Sequence, residues 1–113
     1  ALCEGEAVGF LHLFKRPDIN REVGECASVP GAVLVDVRSR QEYLEGHIPG
    51  SRNVPLQDIA GAAGELGPKD TPLFLYCYSG ARSGQAAGAL RGRGYTNVKN
   101  IGGIGAWRGA VER

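Results

Sequence analysis

The sequence has no methionine, one tryptophan and only three cysteines among its 113 residues. The cysteines stand at positions 3, 26 and 77, and they form neither a C-x-x-C pair nor a cluster with histidine. This spacing argues against a disulfide framework and against a zinc site. Reduced thiols in a cytoplasmic setting are the better interpretation, and we expect no bound metal.

The sequence also lacks an excess of charge of one sign and any long apolar run. Its 13 basic and 12 acidic residues are scattered along the chain, so no basic surface for nucleic acid or for a membrane is expected. No apolar run approaches the roughly 20 residues that span a bilayer. The first nine residues carry acids where a signal peptide carries bases, but without an initiator methionine a removed export signal stays open.

Short apolar runs alternate with helix-like segments through most of the chain. The strand candidates are residues 10–14, 32–37, 52–55, 73–77 and 97–101. Strands that alternate with helices across short loops form a parallel sheet with helices on both faces. We therefore predict one α/β domain over residues 10–113, with a central, mostly parallel five-stranded sheet, preceded by a flexible N-terminal segment over residues 1–9.

Local signals predict where the helices begin. Asp18 is a good N-cap for a first helix, on which Cys26 occupies a core position. Ser39 and Glu42 form an S-x-x-E capping box, which predicts a short helix that ends by Gly46. Later helices are expected over residues 56–66, over residues 83–91 and around Trp107.

Cys77 ends an apolar strand and is followed by the loop Y-S-G-A-R before the next helix. In parallel sheets, ligands bind beyond the carboxyl ends of the strands. Loop N–H groups, the helix N-terminus and the charge of Arg82 would all favour a thiolate there. A lone cysteine at a strand end is more often a small core residue. The loop context reverses that preference, and we interpret Cys77 as a nucleophile.

Four separated motifs occur in one order along the chain: D-V-R with a following E-Y, G-H-I-P-G, C-Y-S-G-A-R-S and G-G-I-G-A-W. On these motifs the sequence resembles the single-domain rhodaneses, which are sulfurtransferases, over about residues 15–110. The resemblance implies a rhodanese-like α/β fold and ping-pong transfer of sulfur through a persulfide on Cys77, with no metal or organic cofactor. The implied donor is thiosulfate or another small anion, and the implied acceptor is cyanide, a small thiol or a protein thiol.

The resemblance also implies residue roles. Cys77 and Arg82 would be catalytic, while Asp36 and Arg38 would support the site, by bracing loop ends more than by direct catalysis. Glu42, besides its capping role, could pair with Arg38 one helical turn away. The substrate-binding residues would be Tyr78, Ser79, Gly80, Ala81 and Ser83.

Two other functions stay open. Phosphatases of the Cdc25 type and related arsenate reductases place five residues between cysteine and arginine, whereas four separate Cys77 from Arg82. The smaller ring favours sulfur over phosphate. Alternatively, the chain is a sulfur-carrier or protein-binding module without thiosulfate turnover. Tyr78 stands where a second cation could bind a dianion, so a protein persulfide or a small thiol is an alternative donor. A thioredoxin-like or sulfur-carrier protein is then a candidate partner.

Overall fold

The computed structural model describes residues 17–113, in which helices and strands alternate along the chain. In chain order they are α1 (Ile19–Ser28), β1 (Val33–Asp36), α2 (Arg40–Glu45), β2 (Arg52–Asn53), α3 (Ile59–Ala62), β3 (Leu73–Cys77), α4 (Ala81–Gly92) and β4 (Val98–Gly103). Short 3₁₀ turns flank α3 at Leu56–Asp58 and Ala63–Leu66, and another follows β4 at Ile104–Ala106. Within this part of the chain, no helix is long and apolar enough to cross a membrane.

The four strands form one parallel sheet in the order β2-β1-β3-β4. This confirms the predicted α/β class and the parallel sheet. The described sheet has one strand fewer than predicted, because the strand expected over residues 10–14 lies outside the described residues, as does the segment 1–9. Asp36, Cys77 and Gly103 end their strands at the same edge of the sheet, since parallel strands run in one direction.

Helices cover both faces of the sheet, as predicted. Side chains alternate between the faces along each strand, so that Val35 and Leu75 face α3 and α4, whereas Leu34 and Phe74 face α1. Cys26 lies in the core cluster on the α1 side, where the sequence placed it. The two clusters fix β3 at the centre of the molecule, and with it the position of Cys77.

Three of the predicted helices differ from the observed elements. The helix expected over 56–66 is the one-turn α3 between 3₁₀ turns, since Gly61 and Gly64 have low helix propensity. The helix expected from Ser83 begins at Ala81, directly after Gly80, whose φ of 106° turns the chain into the helix. Trp107 follows a 3₁₀ turn instead of lying in a helix.

Tyr76 carries a buried hydroxyl between the sheet and the turn before β2. This hydroxyl accepts a hydrogen bond from the N–H of Ile48 at 3.1 Å and lies 3.1 Å from the Ser51 hydroxyl. Burial raises the pKa of Tyr76, and the phenol therefore stays protonated. The contact attaches the G-H-I-P-G turn to the central strand.

We expect Tyr76→Phe to lower the free energy of unfolding by about 1–3 kcal/mol, because the buried N–H of Ile48 loses its acceptor. Tyr78→Phe is the matched control, since Tyr78 is 59% exposed, and we expect it to change the stability by less than about 0.5 kcal/mol. Urea unfolding of the two variants measures both effects. Equal losses in the two variants would contradict the role given to the buried hydroxyl.

Candidate active site

Cys77 ends β3 directly before the N-terminus of α4 and is 1% exposed. The N–H of Gly80 donates a hydrogen bond to its Sγ at 3.0 Å, and the hydroxyl of Ser83 lies 3.4 Å from the same sulfur. Gly80 has a φ of 106°, in the left-handed region that favours glycine, so the loop can turn its N–H toward the sulfur. The sulfur is thus surrounded by donors.

These donors lower the pKa of the Cys77 thiol. Burial by itself raises this pKa, but hydrogen bonds from the Ser83 hydroxyl and from the N–H groups of Ser83, Gly80 and Ser79 outweigh it. The N-terminus of α4 adds a favourable dipole. At Cys26, burial is the only effect on the thiol, and it raises the pKa. Of the two described cysteines, Cys77 is therefore the one suited to act as a thiolate.

Asn100, in β4, connects the parts of the site and is not among the site residues predicted from the sequence. Its Oδ1 accepts a hydrogen bond from the N–H of Gly102 at 3.1 Å and lies 2.7 Å from the Ser83 hydroxyl, whose single proton can go either to Asn100 or to the Cys77 sulfur. Its Nδ2 donates to the carbonyl oxygen of Gly80 at 3.0 Å. Asparagine is unfavourable in strands, and its presence inside a predicted strand is the one sequence signal that pointed to it.

The G-G-I-G-A-W motif lets the end of β4 pass against the cysteine loop. A Cβ on Gly103 would overlap the carbonyl group of Tyr78, and Gly105 donates its N–H to that carbonyl oxygen at 3.0 Å. Gly102 has a φ of 103° at a bulge, where β4 holds one residue more than β3. Glycine at these positions therefore shapes the loop around the sulfur.

Arg82 lies in the first turn of α4, whereas the sequence pattern predicted it as the last residue of the loop. Its two terminal nitrogens donate to the two carboxylate oxygens of Glu42, at 2.7 and 3.0 Å. Glu42 also closes the predicted capping box with Ser39. The hydrogen bond from Arg82 is the main cause that lowers the pKa of Glu42 to about 2. Glu42 thus pairs with Arg82 and not, as considered above, with Arg38.

Asp36 and Arg38 form a second, buried pair. Nε and Nη2 of Arg38 donate to the Asp36 carboxylate, with the shortest bond at 2.6 Å, and Nη2 also donates to the carbonyl oxygen of Gly46 at 2.7 Å. Burial by itself lowers the pKa of Arg38. The hydrogen bond and the charge of Asp36 raise this pKa by more, so the guanidinium stays charged. The pair braces the end of β1 against the turn at Gly46. A direct part in catalysis stays a prediction.

The other predicted substrate-binding residues differ in their exposure. Tyr78, Ser79 and Ala81 are exposed, and Ser83 is fully buried. A cavity of about 430 Å³ lies between the cysteine loop and the end of β4. It is lined by Pro17, Tyr78, Ser79, Gly80, Asn100, Gly102, Gly103, Gly105 and Ala106. Among residues 17–113, no cluster of three or more histidine, cysteine or acidic residues could hold a metal ion.

The sequence pattern of the rhodanese-like domain matches residues 20–110. The chain belongs to the rhodanese-like domain family. The thiosulfate sulfurtransferase GlpE of Pseudomonas entomophila is 38% identical over 96 residues, which cover 84% of this chain and 85% of GlpE. The putative sulfur carrier protein YrkF of Bacillus subtilis is 36% identical over 80 residues, which cover 70% of this chain and 43% of YrkF.

A solved structure of a rhodanese with anions from E. coli superposes with a TM-score of 0.67, at 31% identity, covering 73% of this chain and 98% of that one. It confirms the rhodanese fold expected from the motifs. The chain spans less than two thirds of some curated relatives that it matches, for example 64% of another Bacillus subtilis protein. Family membership therefore concerns the rhodanese-like domain itself, residues 20–110.

In this rhodanese-like domain we expect Ser83→Ala to raise the pKa of Cys77 by about one pH unit, because one hydrogen bond to the thiolate is lost. The pH dependence of alkylation of Cys77 by iodoacetamide, followed by mass spectrometry of the Cys77 peptide, measures this pKa. Ser79→Ala is the matched control, since it removes an exposed hydroxyl from the same loop and keeps the backbone N–H. A midpoint that stays constant in Ser83→Ala would contradict the assignment.

Proposed function

We propose that this chain is a sulfurtransferase that carries a transferable sulfur atom as a persulfide on Cys77. One observation carries the proposal: Cys77, at the loop position of the family motif, has its sulfur held by the Gly80 N–H and the Ser83 hydroxyl, which favours the thiolate. The membership in the rhodanese-like family and the name of the relative GlpE support it.

In the first step, the Cys77 thiolate attacks the outer sulfur of a donor such as thiosulfate. A bond forms between Sγ and the outer sulfur, while the bond between the two donor sulfurs breaks. The electron pair of the broken bond leaves with sulfite, and a persulfide anion remains on Cys77. The total charge is the same before and after, and no proton is needed.

In the second step, the persulfide gives its outer sulfur to a thiophilic acceptor. With cyanide, the carbon lone pair attacks the outer sulfur, the S–S bond breaks, and its electron pair returns to Sγ. Thiocyanate leaves and the Cys77 thiolate is restored. A small thiol or a protein thiol, as its thiolate, would accept the sulfur in the same way.

The loop would stabilise the charge on the outer sulfur. The backbone N–H groups from Tyr78 to Ser83 lie in the loop after Cys77 and in the first turn of α4, and preorganised donors of this kind stabilise a developing anion without reorganisation. Asn100 would hold the loop in this shape, through its bonds to Gly80 and Ser83. Arg82, in the first turn of α4 and paired with Glu42, would orient a donor toward the sulfur.

Incubation with thiosulfate should add the mass of one sulfur atom to the intact protein, and a reducing agent should remove it. We expect Cys77→Ser to abolish this gain, because a hydroxyl cannot form the persulfide. Cys26→Ala is the control and should load normally, since Cys26 lies in the core on the α1 side. Intact-protein mass spectrometry before and after reduction makes the measurement. A gain of sulfur by folded Cys77→Ser would refute the mechanism.

A sulfur carrier without turnover is the second candidate, favoured by the relative YrkF, whose name describes a putative sulfur carrier. Excess thiosulfate and cyanide distinguish the two functions. A sulfurtransferase produces thiocyanate over many turnovers, whereas a carrier loads once and releases its sulfur to a partner. Hydrolysis of p-nitrophenyl phosphate dependent on Cys77 would instead favour the phosphatase alternative.

A further inference from the structure

Two cations and two anions act on one another at the carboxyl edge of the sheet. Arg82 donates to both carboxylate oxygens of Glu42, and Arg38 donates to Asp36. Glu42 first, and also Cys77 and Asp36, raise the pKa of Arg82. Arg38 is paired with Asp36, and the negative charge of Glu42 also raises the pKa of Arg38. The two guanidinium groups and the two carboxylates sum to zero. Once Cys77 is a thiolate, this set carries one negative charge.

Of the two ion pairs, Glu42–Arg82 is the one that is partly exposed to solvent. Both oxygens of the Glu42 carboxylate accept from the Arg82 guanidinium, whereas Arg38 and Asp36 are buried as a structural brace. The side chains of Arg82 and Glu42 are 38% and 34% exposed, so the pair is partly open to solvent and to dissolved anions. The pKa of Glu42, about 2, keeps the carboxylate charged at neutral pH.

We infer that Glu42 determines donor specificity: by occupying and neutralising Arg82, it selects sulfur donors with one negative charge or none, such as alkyl persulfides, over the dianion thiosulfate. The inference rests on the proposed function and deepens it. An unpaired Arg82 would attract a dianion more strongly than a monoanion, because the Coulomb energy scales with the product of the charges. Glu42 removes this advantage.

Two donors with the same reacting bond isolate the effect of charge. Methanethiosulfonate is thiosulfate with a methyl group in place of one charged oxygen, so it carries one negative charge instead of two. The Cys77 thiolate attacks its outer sulfur, the S–S bond breaks, and the electron pair leaves with methanesulfinate. The same persulfide anion forms on Cys77 from either donor, and the rate of loading can be followed by mass spectrometry.

Glu42→Gln removes the charge and keeps the local structure. Glutamine serves as well as glutamate at the last position of a capping box, so the start of α2 is preserved. Glu45→Gln is the matched control, because Glu45 is an exposed acid on the same helix, and neither the ion pair nor the hydrogen bonds of Arg82 involve it. Each variant removes one negative charge from the protein.

The measured quantity is the second-order rate of loading from thiosulfate divided by that from methanethiosulfonate, for each protein. We expect this ratio to rise about fivefold in Glu42→Gln and to stay at the wild-type value in Glu45→Gln. Added salt should reduce the increase, since ions screen a partly exposed charge. Because both rates come from the same protein sample, a partial loss of folded protein cancels in the ratio.

Each outcome decides something. An unchanged ratio in Glu42→Gln, or an equal rise in Glu45→Gln, would overturn the inference and leave the proposed function intact. Wild-type protein that loads from neither donor would instead overturn the proposed function, and the inference with it. A rise confined to Glu42→Gln would assign the discrimination between donors to the Glu42–Arg82 pair.

Discussion

The site depends on the donors that reach the sulfur of Cys77 from Gly80, directly before α4, and from Ser83, in its first turn. These contacts form because β3 ends directly before the helix, and because Gly80 turns the chain between them with a positive φ. A buried thiol without such donors has a raised pKa, as Cys26 shows. The same burial combined with donors has the opposite result at Cys77. Local hydrogen bonding, more than the fold as a whole, separates the two cysteines chemically.

The rest of the site serves to hold this loop in one shape. The side chain of Asn100 is hydrogen-bonded to Ser83, Gly80 and Gly102, and it thereby connects α4, the cysteine loop and β4. Gly103 lets β4 approach the loop to a distance that any side chain would prevent. The sheet contributes rigidity, since β3 is its most buried strand and is paired on both sides. A rigid support of this kind is what a preorganised anion site requires.

The charges around the site are balanced in pairs, and each pair has a separate task. Asp36 and Arg38 are buried and connect β1 to the turn at Gly46. Arg82 and Glu42 are partly exposed, so solvent screens the charges of their pair. An arginine in a cysteine loop is usually interpreted as an anion attractor. Here its charge is already compensated, which a count of cations in the loop would overlook.

Much of this was present in the sequence. The apolar runs predicted where the described strands lie along the chain, and the S-x-x-E pattern predicted α2, because these signals are local. That Cys77 is a nucleophile stays a prediction. The partner of Arg82 and the bonds of Asn100 could not be predicted, since they join residues 40 and 17 positions apart. The sequence by itself determined which residues end the strands and form the cysteine loop, and the tertiary structure decided which charged side chains pair, because ion pairing depends on distance in space.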